Sequence, residues 1–261
     1  MDLELDGNTA LCTAASSGLG LASATSLARE GADVAICGRT ESSIDAAREQ
    51  LQSAGDGDVL AVQADITDPD HIGAFVEETV DAFGGIDHVV TSAGGPPSGT
   101  FADMADRDWY QAYDLLVMSV VWTLRKTRPH LEQSDAGTIV AITSRSVREV
   151  IDDLLLSNAV RRAVIGLVKT VSREFAPDIR TNAVLPGAHE TARMEQLIED
   201  DVDRGEYDDY QSGYEDKAAD VPLGRIGEPA ELGDVVAFLS SRRASYVNGV
   251  SLPIDGGSLR S

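Results

Sequence analysis

The sequence contains little cysteine and no long hydrophobic run, and each scarcity excludes a class of protein. Two cysteines, Cys12 and Cys37, in 261 residues make neither a disulfide framework nor a metal-binding spacing. Both lie in predicted buried strands, so we interpret them as core residues. No hydrophobic run approaches the roughly 20 residues of a membrane helix, and the acidic start of the chain lacks the basic residues of a signal peptide. We therefore expect a cytoplasmic protein with no metal centre and no membrane association.

Positive charge is also scarce. The chain has 44 acidic and 21 basic residues, a net charge of −23, and only 3 of the basic residues are lysines. This composition resembles that of proteins from salt-loving (halophilic) organisms. It argues against nucleic acid as a partner and predicts self-repulsion at low salt, which screening relieves. Because the acidic residues are spread along the chain, an acidic tail does not explain the charge.

The sequence does contain a regular alternation of β-rich apolar runs and helical patterns, without a linker between them. Apolar runs at 9–12, 32–37, 59–63, 86–91 and 137–143 precede helical patterns. Alternation of this kind favours one α/β domain with a doubly wound parallel sheet covered on both faces. Ligands of such sheets bind outside the carboxyl ends of the strands.

The small-residue stretch at 13–20 organises the rest of the chain. It follows the first strand and leads into a helical pattern from Leu19 to Glu30. A turn of small residues allows close approach of a ligand to the backbone, and the free N–H groups at the start of a helix attract phosphate. We interpret the stretch as a dinucleotide pyrophosphate site. The alternative is a tight strand-to-helix connection that binds nothing.

The end of the second strand bears on the choice of cofactor. An acid at this point would bind the ribose 2′-OH of NAD, whereas an arginine accommodates the 2′-phosphate of NADP. The sequence has Gly38 and Arg39 here, which favours NADP(H) over NAD(H). The alternative is a solvated arginine at a strand terminus.

Several segments, in the right order, resemble the short-chain dehydrogenase/reductase (SDR) superfamily and especially its 3-oxoacyl-carrier-protein reductases. The segments are the loop at 13–20, the pair Asp65-Ile66 that contacts adenine, Ser92-Ala93-Gly94, the stretch 186–191, and C-terminal segments at 222–225, 237–240 and 248–257. With Arg39, the resemblance implies cofactor binding by Thr13, Ala15, Ser16, Ser17, Gly18, Leu19, Gly20, Asp65, Ile66, Ala93, Gly94, Pro186, Gly187 and Thr191.

The resemblance also implies an architecture. It is a single-domain Rossmann fold over residues 1–261, with about seven parallel strands and three helices on each side. A substrate lid is expected near 188–220. Members of the superfamily assemble through two long helices, here near 108–128 and 157–175, so a homodimer or homotetramer is expected.

The catalytic positions depart from the family pattern of Asn, Ser, Tyr and Lys. Ser144 keeps the family serine, but Leu116, Ser157 and Arg161 stand at the other three positions, and Ala14 replaces the first glycine of the loop. Ser157 and Arg161 lie four residues apart on a predicted helix, so they share a face and their side chains can meet. The predicted catalytic residues are therefore Ser144, Ser157 and Arg161.

These residues allow one workable chemistry. A serine hydroxyl is a far weaker acid than a tyrosine, and arginine does not release its proton at working pH. Arg161 and Ser144 can still stabilise an oxyanion while water supplies the proton. We thus predict an NADP(H)-dependent oxidoreductase for a small 3-oxoacyl-like carbonyl or conjugated alkene. The alternative is an inactive dinucleotide-binding, regulatory or structural homologue.

Two further groups of residues leave alternatives open. The predicted lid offers other acids, which are either proton donors or solvated packing residues: His189, Tyr207, Tyr210 and Tyr214. Arg145 and Arg148 follow Ser144 and either form a positive mouth with Arg161 or pair with nearby acids at 149, 152 and 153. A positive mouth would suit a carboxylate, phosphate or thioester-linked acyl substrate.

Overall fold

The computed structural model describes residues 2–260 and contains one parallel sheet of seven strands. The strands are β1 Thr9–Cys12, β2 Asp33–Gly38, β3 Val59–Gln63, β4 His88–Thr91, β5 Thr138–Ile142, β6 Arg180–Pro186 and β7 Ser251–Ile254. Their order across the sheet is β3-β2-β1-β4-β5-β6-β7. The direction of winding reverses between β1 and β4, which is the switch point where ligands of doubly wound sheets bind.

Ten α-helices are described, and six of them cover the sheet. The helices are α1 Gly18–Arg29, α2 Glu41–Ala54, α3 Pro69–Phe83, α4 Asp106–Tyr113, α5 Ser119–Leu131, α6 Leu155–Val160, α7 Arg162–Glu174, α8 Ala192–Asp203, α9 Tyr210–Ala219 and α10 Pro229–Ser240. Helices α1, α2 and α10 pack on one face, and α3, α5 and α7 pack on the other. The predicted single-domain Rossmann fold is confirmed.

The central strands are buried on both faces, which explains their unbroken apolar runs. Every residue of β1, β4 and β5 is buried. Cys12 and Cys37 are buried free thiols in these layers, as predicted. Within residues 2–260, no helix has the length and apolar character needed to cross a membrane.

Two predicted helices differ from the observed ones. The helix predicted over 108–128 begins at Asp106, changes to a π-helical turn at Asp114–Met118 and continues to Leu131. The helix predicted over 157–175 starts earlier and is divided at Arg161 into α6 and α7. Periodicity alone did not reveal either irregularity, because both preserve the apolar face.

Candidate active site

A cavity of about 690 Å³ opens at the carboxyl edge of the sheet. The N-terminal end of α1, the loop after β4, the loop after β5 and the first turn of α8 form its walls. The cavity therefore lies beside the switch point between β1 and β4.

The loop before α1 is fixed to its neighbours from both sides. The Thr13 hydroxyl donates to the Ser92 carbonyl at 2.9 Å, and the Ala15 N–H donates to the Cys37 carbonyl at 2.9 Å. Ala14 has a φ of +46°, so it keeps the left-handed backbone for which glycine is best suited. At Gly20 a Cβ would lie 2.8 Å from the Ala14 carbonyl oxygen, so the close approach of loop and helix requires glycine.

Most of the predicted cofactor residues line this cavity. Those in its wall are Ser17, Gly18, Leu19, Gly20, Ala93, Gly94, Pro186, Gly187 and Thr191. Thr13 and Ala15 are buried, and their hydrogen bonds shape the loop. The other four lie outside the cavity, beyond the ends of the neighbouring strands: Ser16, Arg39, Asp65 and Ile66.

The end of β2 brings Gly38 and Arg39 next to the loop that precedes α1. A Cβ on Gly38 would lie 2.5 Å from the Ser16 hydroxyl oxygen, so only glycine admits this close approach. Arg39 is exposed, and its carbonyl accepts a hydrogen bond from the Gln63 amide at 2.8 Å. Partial burial opposes ionisation of Asp65, but two hydrogen bonds from Thr67 and the charge of Arg39 outweigh it and lower the pKa of Asp65.

The predicted catalytic residues Ser144, Ser157 and Arg161 all line the cavity, and Ser157 and Arg161 are in direct contact. The Arg161 Nε donates to the Ser157 hydroxyl at 3.2 Å, and the Ser157 hydroxyl lies 3.1 Å from the Ser146 hydroxyl. The Ser144 hydroxyl accepts the N–H of Ser146 at 3.1 Å. The expected meeting of Ser157 and Arg161 is therefore present. The sequence argument missed Ser146, although its position two residues after Ser144 could have indicated it.

Arg161 is a buried cation, only 9% exposed. Its Nη2 donates to the Gly94 carbonyl at 3.1 Å. Burial, and secondarily the charge of Arg193, lowers the pKa of Arg161 to about 10. The group therefore remains protonated and positively charged near neutral pH.

No polar side chain stands at the predicted asparagine position. Leu116 is 2% exposed and lies within the π-helical turn Asp114–Met118, packed in the core under α4 and α5. Sequence reasoning placed Leu116 here but did not foresee the irregular turn.

The alternative proton donors in the region after β6 are otherwise engaged. Tyr207 lines the cavity, but its hydroxyl donates to Asp216 at 2.7 Å, which raises the pKa of Tyr207 to about 12. Tyr210 and Tyr214 line a separate hollow of about 240 Å³. Burial lowers the pKa of His189 and disfavours its charged, proton-donating form.

The two arginines after Ser144 behave differently. Arg145 lines the cavity, whereas Arg148 turns away and donates to the Ser251 carbonyl at 2.8 Å. Among residues 2–260, neither has a carboxylate oxygen within 4.0 Å, so the predicted pairing with nearby acids is absent. Glu149 also lines the cavity, and its buried Oε2 has no hydrogen-bond partner among the described residues.

An arginine that the sequence argument did not single out completes the site. Arg193, the second residue of α8, donates from Nη2 to the Pro96 carbonyl at 2.9 Å. A Cβ on Gly95 would lie 2.6 Å from the Arg193 Nε, so the guanidinium crosses the chain where no side chain blocks it. Only the folded arrangement brings Arg193 near Arg161, and no local pattern indicates it.

Comparison with known proteins gives the same architecture and a common chemistry. A family model described as Enoyl-(Acyl carrier protein) reductase matches residues 13–258. The 3-oxoacyl-acyl-carrier-protein reductase of Thermotoga maritima is 31% identical over 258 residues, covering 98% of this chain and 99% of its own. These relatives are oxidoreductases.

Two solved structures are similar over nearly the full length. L-Sorbose reductase from Gluconobacter frateurii, in complex with NADPH and L-sorbose, has a TM-score of 0.94 at 29% identity, with all of both chains covered. An NADPH-bound short chain oxidoreductase from Pseudomonas aeruginosa PAO1, which contains an atypical catalytic center, has a TM-score of 0.88 at 29% identity, with 97% of each chain covered. With the family match across residues 13–258, these similarities establish that the chain belongs to the short-chain dehydrogenase/reductase superfamily.

Proposed function

We propose that the protein is an NADP(H)-dependent oxidoreductase that interconverts a carbonyl compound and its alcohol, with Arg161 as the group that stabilises the oxyanion. The observation that carries the proposal is the buried Arg161 guanidinium, which lies within the cavity and is hydrogen-bonded to Ser157 and to the Gly94 carbonyl. A fixed cation in a low-dielectric cleft stabilises developing negative charge far better than one in water.

The residues present fit a dinucleotide. The free amides at the start of α1 suit a pyrophosphate, and the glycines at 18 and 20 leave the backbone accessible. Ser16 and Arg39 suit a 2′-phosphate, since no acid stands at the end of β2 to repel it. When bound, NADPH would supply the hydride. L-Sorbose reductase and the Pseudomonas protein bind NADPH, which supports the same cofactor here.

The chain's own residues divide the remaining work. Arg161 and the Ser144 hydroxyl donate hydrogen bonds to the carbonyl oxygen, on which negative charge grows as the carbon is reduced. The Ser157 hydroxyl positions the Arg161 guanidinium by accepting a hydrogen bond from its Nε. The Ser146 hydroxyl in turn is hydrogen-bonded to the Ser157 hydroxyl. In this mechanism Arg161 keeps its proton and its charge throughout. The product alkoxide takes its proton from a water molecule that enters the open cavity, and the hydroxide that remains exchanges with bulk solvent.

A second candidate is a homologue that binds NADP(H) without turnover. It is favoured by Leu116 and Ser157, which leave two family catalytic positions without their usual groups. The Pseudomonas aeruginosa neighbour is an oxidoreductase that has an atypical catalytic center and binds NADPH, which supports cofactor binding by a site that departs from the family pattern. We therefore favour the enzyme, and the experiments below separate the two.

Cofactor choice is tested by titrating the purified protein with NADPH and with NADH, followed by nicotinamide fluorescence. We expect saturable binding that favours NADPH. Replacing Arg39 by Gln should weaken NADPH binding about tenfold or more and leave NADH binding unchanged, as expected for the loss of one charged hydrogen bond. Arg48→Gln, at an exposed arginine on α2, is the control. Equal binding of both cofactors would refute the role of Arg39.

Turnover is tested with a panel of small carbonyl compounds and conjugated alkenes. Replacing Arg161 by Ala should lower kcat about 100- to 1000-fold, the usual cost of losing an oxyanion donor. The matched control is Arg162→Ala, because Arg162 is exposed next to Arg161 and donates only to the Asn158 carbonyl. NADPH binding without any turnover across the panel would favour the second candidate.

We also propose a homodimer or homotetramer that assembles through the two long helical segments, α4–α5 and α6–α7. Phe101 and Tyr110, which are 78% and 73% exposed, lie just before α4 and on it. A monomer by light scattering at micromolar concentration would refute this.

A further inference from the structure

The inner part of the cavity holds two guanidiniums that no carboxylate neutralises. Among residues 2–260, no carboxylate oxygen lies within 4.0 Å of Arg161 or Arg193. Their donors go instead to neutral oxygens: the Ser157 hydroxyl and the Gly94 carbonyl for Arg161, and Pro96 and Gln196 for Arg193. In a chain with a net charge of −23, two unpaired arginines in one cleft are unexpected.

The two guanidiniums are close enough to affect each other. Each is desolvated, which lowers its pKa, and the charge of Arg193 lowers the pKa of Arg161 further. Arg193 also stands in the first turn of the 12-residue helix α8, where the positive end of the helix dipole disfavours a cation. Burial, the repulsion between the two positive charges and the helix dipole each disfavour charged guanidiniums at these positions. A bound anion would offset the repulsion between the two cations and would itself be favoured at the positive end of the helix dipole.

The acids that line the cavity do not pair with either guanidinium. Among residues 2–260, this includes Glu149, whose buried Oε2 has no hydrogen-bond partner and which lies beyond 4.0 Å from Arg161 and Arg193. Arg204 and Lys217 neutralise Asp201, and Arg204 also pairs with Asp153 and Glu206 near the mouth. Asp200 is the acid whose charge acts on Arg193, but its carboxylate accepts the Ser98 hydroxyl at 3.2 Å rather than a guanidinium N–H.

The position of Arg193 separates it from the pyrophosphate site. The Thr191 methyl lies 3.7 Å from the place of a Cβ on Gly18, so the N-terminal end of α8 touches the start of α1 at that residue. Two residues later the chain has turned, and Arg193 reaches across to Gly95 and Pro96 in the loop after β4. This is the loop whose Gly94 carbonyl binds Arg161.

We infer that Arg193 binds a carboxylate of the substrate, so that the protein acts on a small oxo acid or the corresponding hydroxy acid. The assignment rests on the proposed function: Arg161 and Ser144 receive the reacting oxygen, and Arg193 receives the carboxylate of the same molecule. A guanidinium fork matches a carboxylate through two parallel hydrogen bonds, which fixes orientation as well as charge.

Binding is tested on the NADPH-loaded protein, at the lowest salt concentration at which it is folded, with malonate and succinate as probes and malonamide as the uncharged control. Nicotinamide fluorescence and the shift in Tm report binding. We expect saturable binding of a dicarboxylate and none of the diamide. Arg193→Gln should weaken dicarboxylate binding at least tenfold and change the Kd of NADPH by less than threefold. Arg148→Gln is the control, because Arg148 faces away from the cavity.

The outcomes separate this inference from the proposed function. No saturable dicarboxylate binding by NADPH-loaded protein would overturn the inference and leave the proposed function standing. A parallel loss of NADPH affinity in Arg193→Gln would also overturn it, because the guanidinium would then bind the cofactor. Absence of NADPH binding altogether would overturn the proposed function itself.

Selectivity gives a second readout that a merely structural role for Arg193 would not change. Small oxo acids are compared with their methyl esters as substrates. We expect kcat/KM to favour the acid at least tenfold in the natural protein, and Arg193→Gln to abolish that preference, with Arg193→Lys retaining part of it. An acid-to-ester ratio that stays the same in Arg193→Gln would refute the assignment.

Discussion

Arg161 separates two tasks that one tyrosine–lysine pair performs in the family pattern. Its guanidinium is planar, carries five donors in a fixed fork and keeps its charge near neutral pH. These properties suit the stabilisation of an oxyanion but not the supply of a proton. The adjacent hydroxyls of Ser146 and Ser157 are arranged to hold the fork. In the proposed mechanism the proton therefore comes from solvent that enters the cavity.

Replacing Ser157 by Ala tests this division of work. Ser157 is 7% exposed and its hydroxyl is hydrogen-bonded to both Ser146 and Arg161, so loss of the hydroxyl leaves buried polar groups unsatisfied. We expect a loss of about 1–3 kcal/mol in the free energy of unfolding and a fall in kcat of less than about tenfold. Urea unfolding and steady-state kinetics give the two values. If the variant stays folded and binds NADPH but loses all turnover, Ser157 is the proton donor and our mechanism is wrong.

At this scale the sequence predicts contacts along one helix and misses contacts between distant segments. Ser157 and Arg161 could be paired in advance, because residues four apart on a helix share a face. Arg193 could not, because its approach to Arg161 depends on the path of α8 and on the missing side chain of Gly95. The sequence also does not reveal which way a loop side chain points. Arg145 and Arg148 are three residues apart, yet of these two only Arg145 lines the cavity.

The central strands are joined by a buried polar side chain as well as by backbone hydrogen bonds. His88, the first residue of β4, lies 2.9 Å from the Asn8 amide nitrogen and 2.8 Å from the Thr138 hydroxyl. It thus links the segment before β1 to β5. Because an amide nitrogen can only donate, Nε2 accepts and the ring proton resides on Nδ1. A second proton would break the bond to Asn8.

This linkage predicts a pH dependence of stability. Burial lowers the pKa of His88 to about 4. The negative charge of Asp87 acts to raise this pKa, and the positive charge of Arg180 lowers it further. The unfolded chain, with a histidine pKa near 6.5, then binds more protons than the folded one between about pH 6.5 and pH 4, so stability falls as the pH falls through that window. From pH 7 to pH 5 the natural protein should lose about 2 kcal/mol more than His88→Gln.

The measurement is urea unfolding of both proteins at the two pH values and constant ionic strength. Titration of the many carboxylates affects both proteins alike and therefore cancels in the comparison. An equal loss in the two proteins would show that His88 does not titrate in this way.

Elements were predicted well where apolar periodicity was regular and poorly where the backbone departs from the regular helix. The bounds of β1 and β3 agree with the apolar runs at 9–12 and 59–63. The π-helical turn Asp114–Met118 and the division at Arg161 went unseen, because neither interrupts the spacing of apolar residues.

The whole molecule carries an excess of 23 negative charges, but its core and sheet are those of an ordinary doubly wound domain. Only Asp201 and Arg161 are buried among the charged residues that the structure describes, so nearly all of the excess of 44 acids over 21 basic residues lies at or near the surface. Net charge of this size destabilises the compact state through self-repulsion, which the unfolded chain relieves by expansion. Screening reduces the repulsion, since the Debye length falls from about 10 Å at 0.1 M salt to about 3 Å at 1 M.

We therefore expect sodium chloride to stabilise the fold over a range in which it has little effect on proteins of balanced charge. Between 0.1 M and 2 M, Tm should rise by about 5 °C or more, which corresponds to about 2 kcal/mol in a chain of this size. Differential scanning calorimetry measures the change in Tm directly.

Two variants at exposed sites, which change the net charge in opposite directions, test whether the salt effect arises from charge. The triple change Glu199→Gln, Asp203→Asn and Asp208→Asn removes three negative charges, so it should raise Tm at 0.1 M and flatten the salt dependence. Arg173→Gln removes a positive charge at an exposed position of α7, so it should lower Tm at 0.1 M and make the rise of Tm with salt steeper. If both variants keep the salt response of the natural protein, salt acts through hydration of the apolar core rather than through charge.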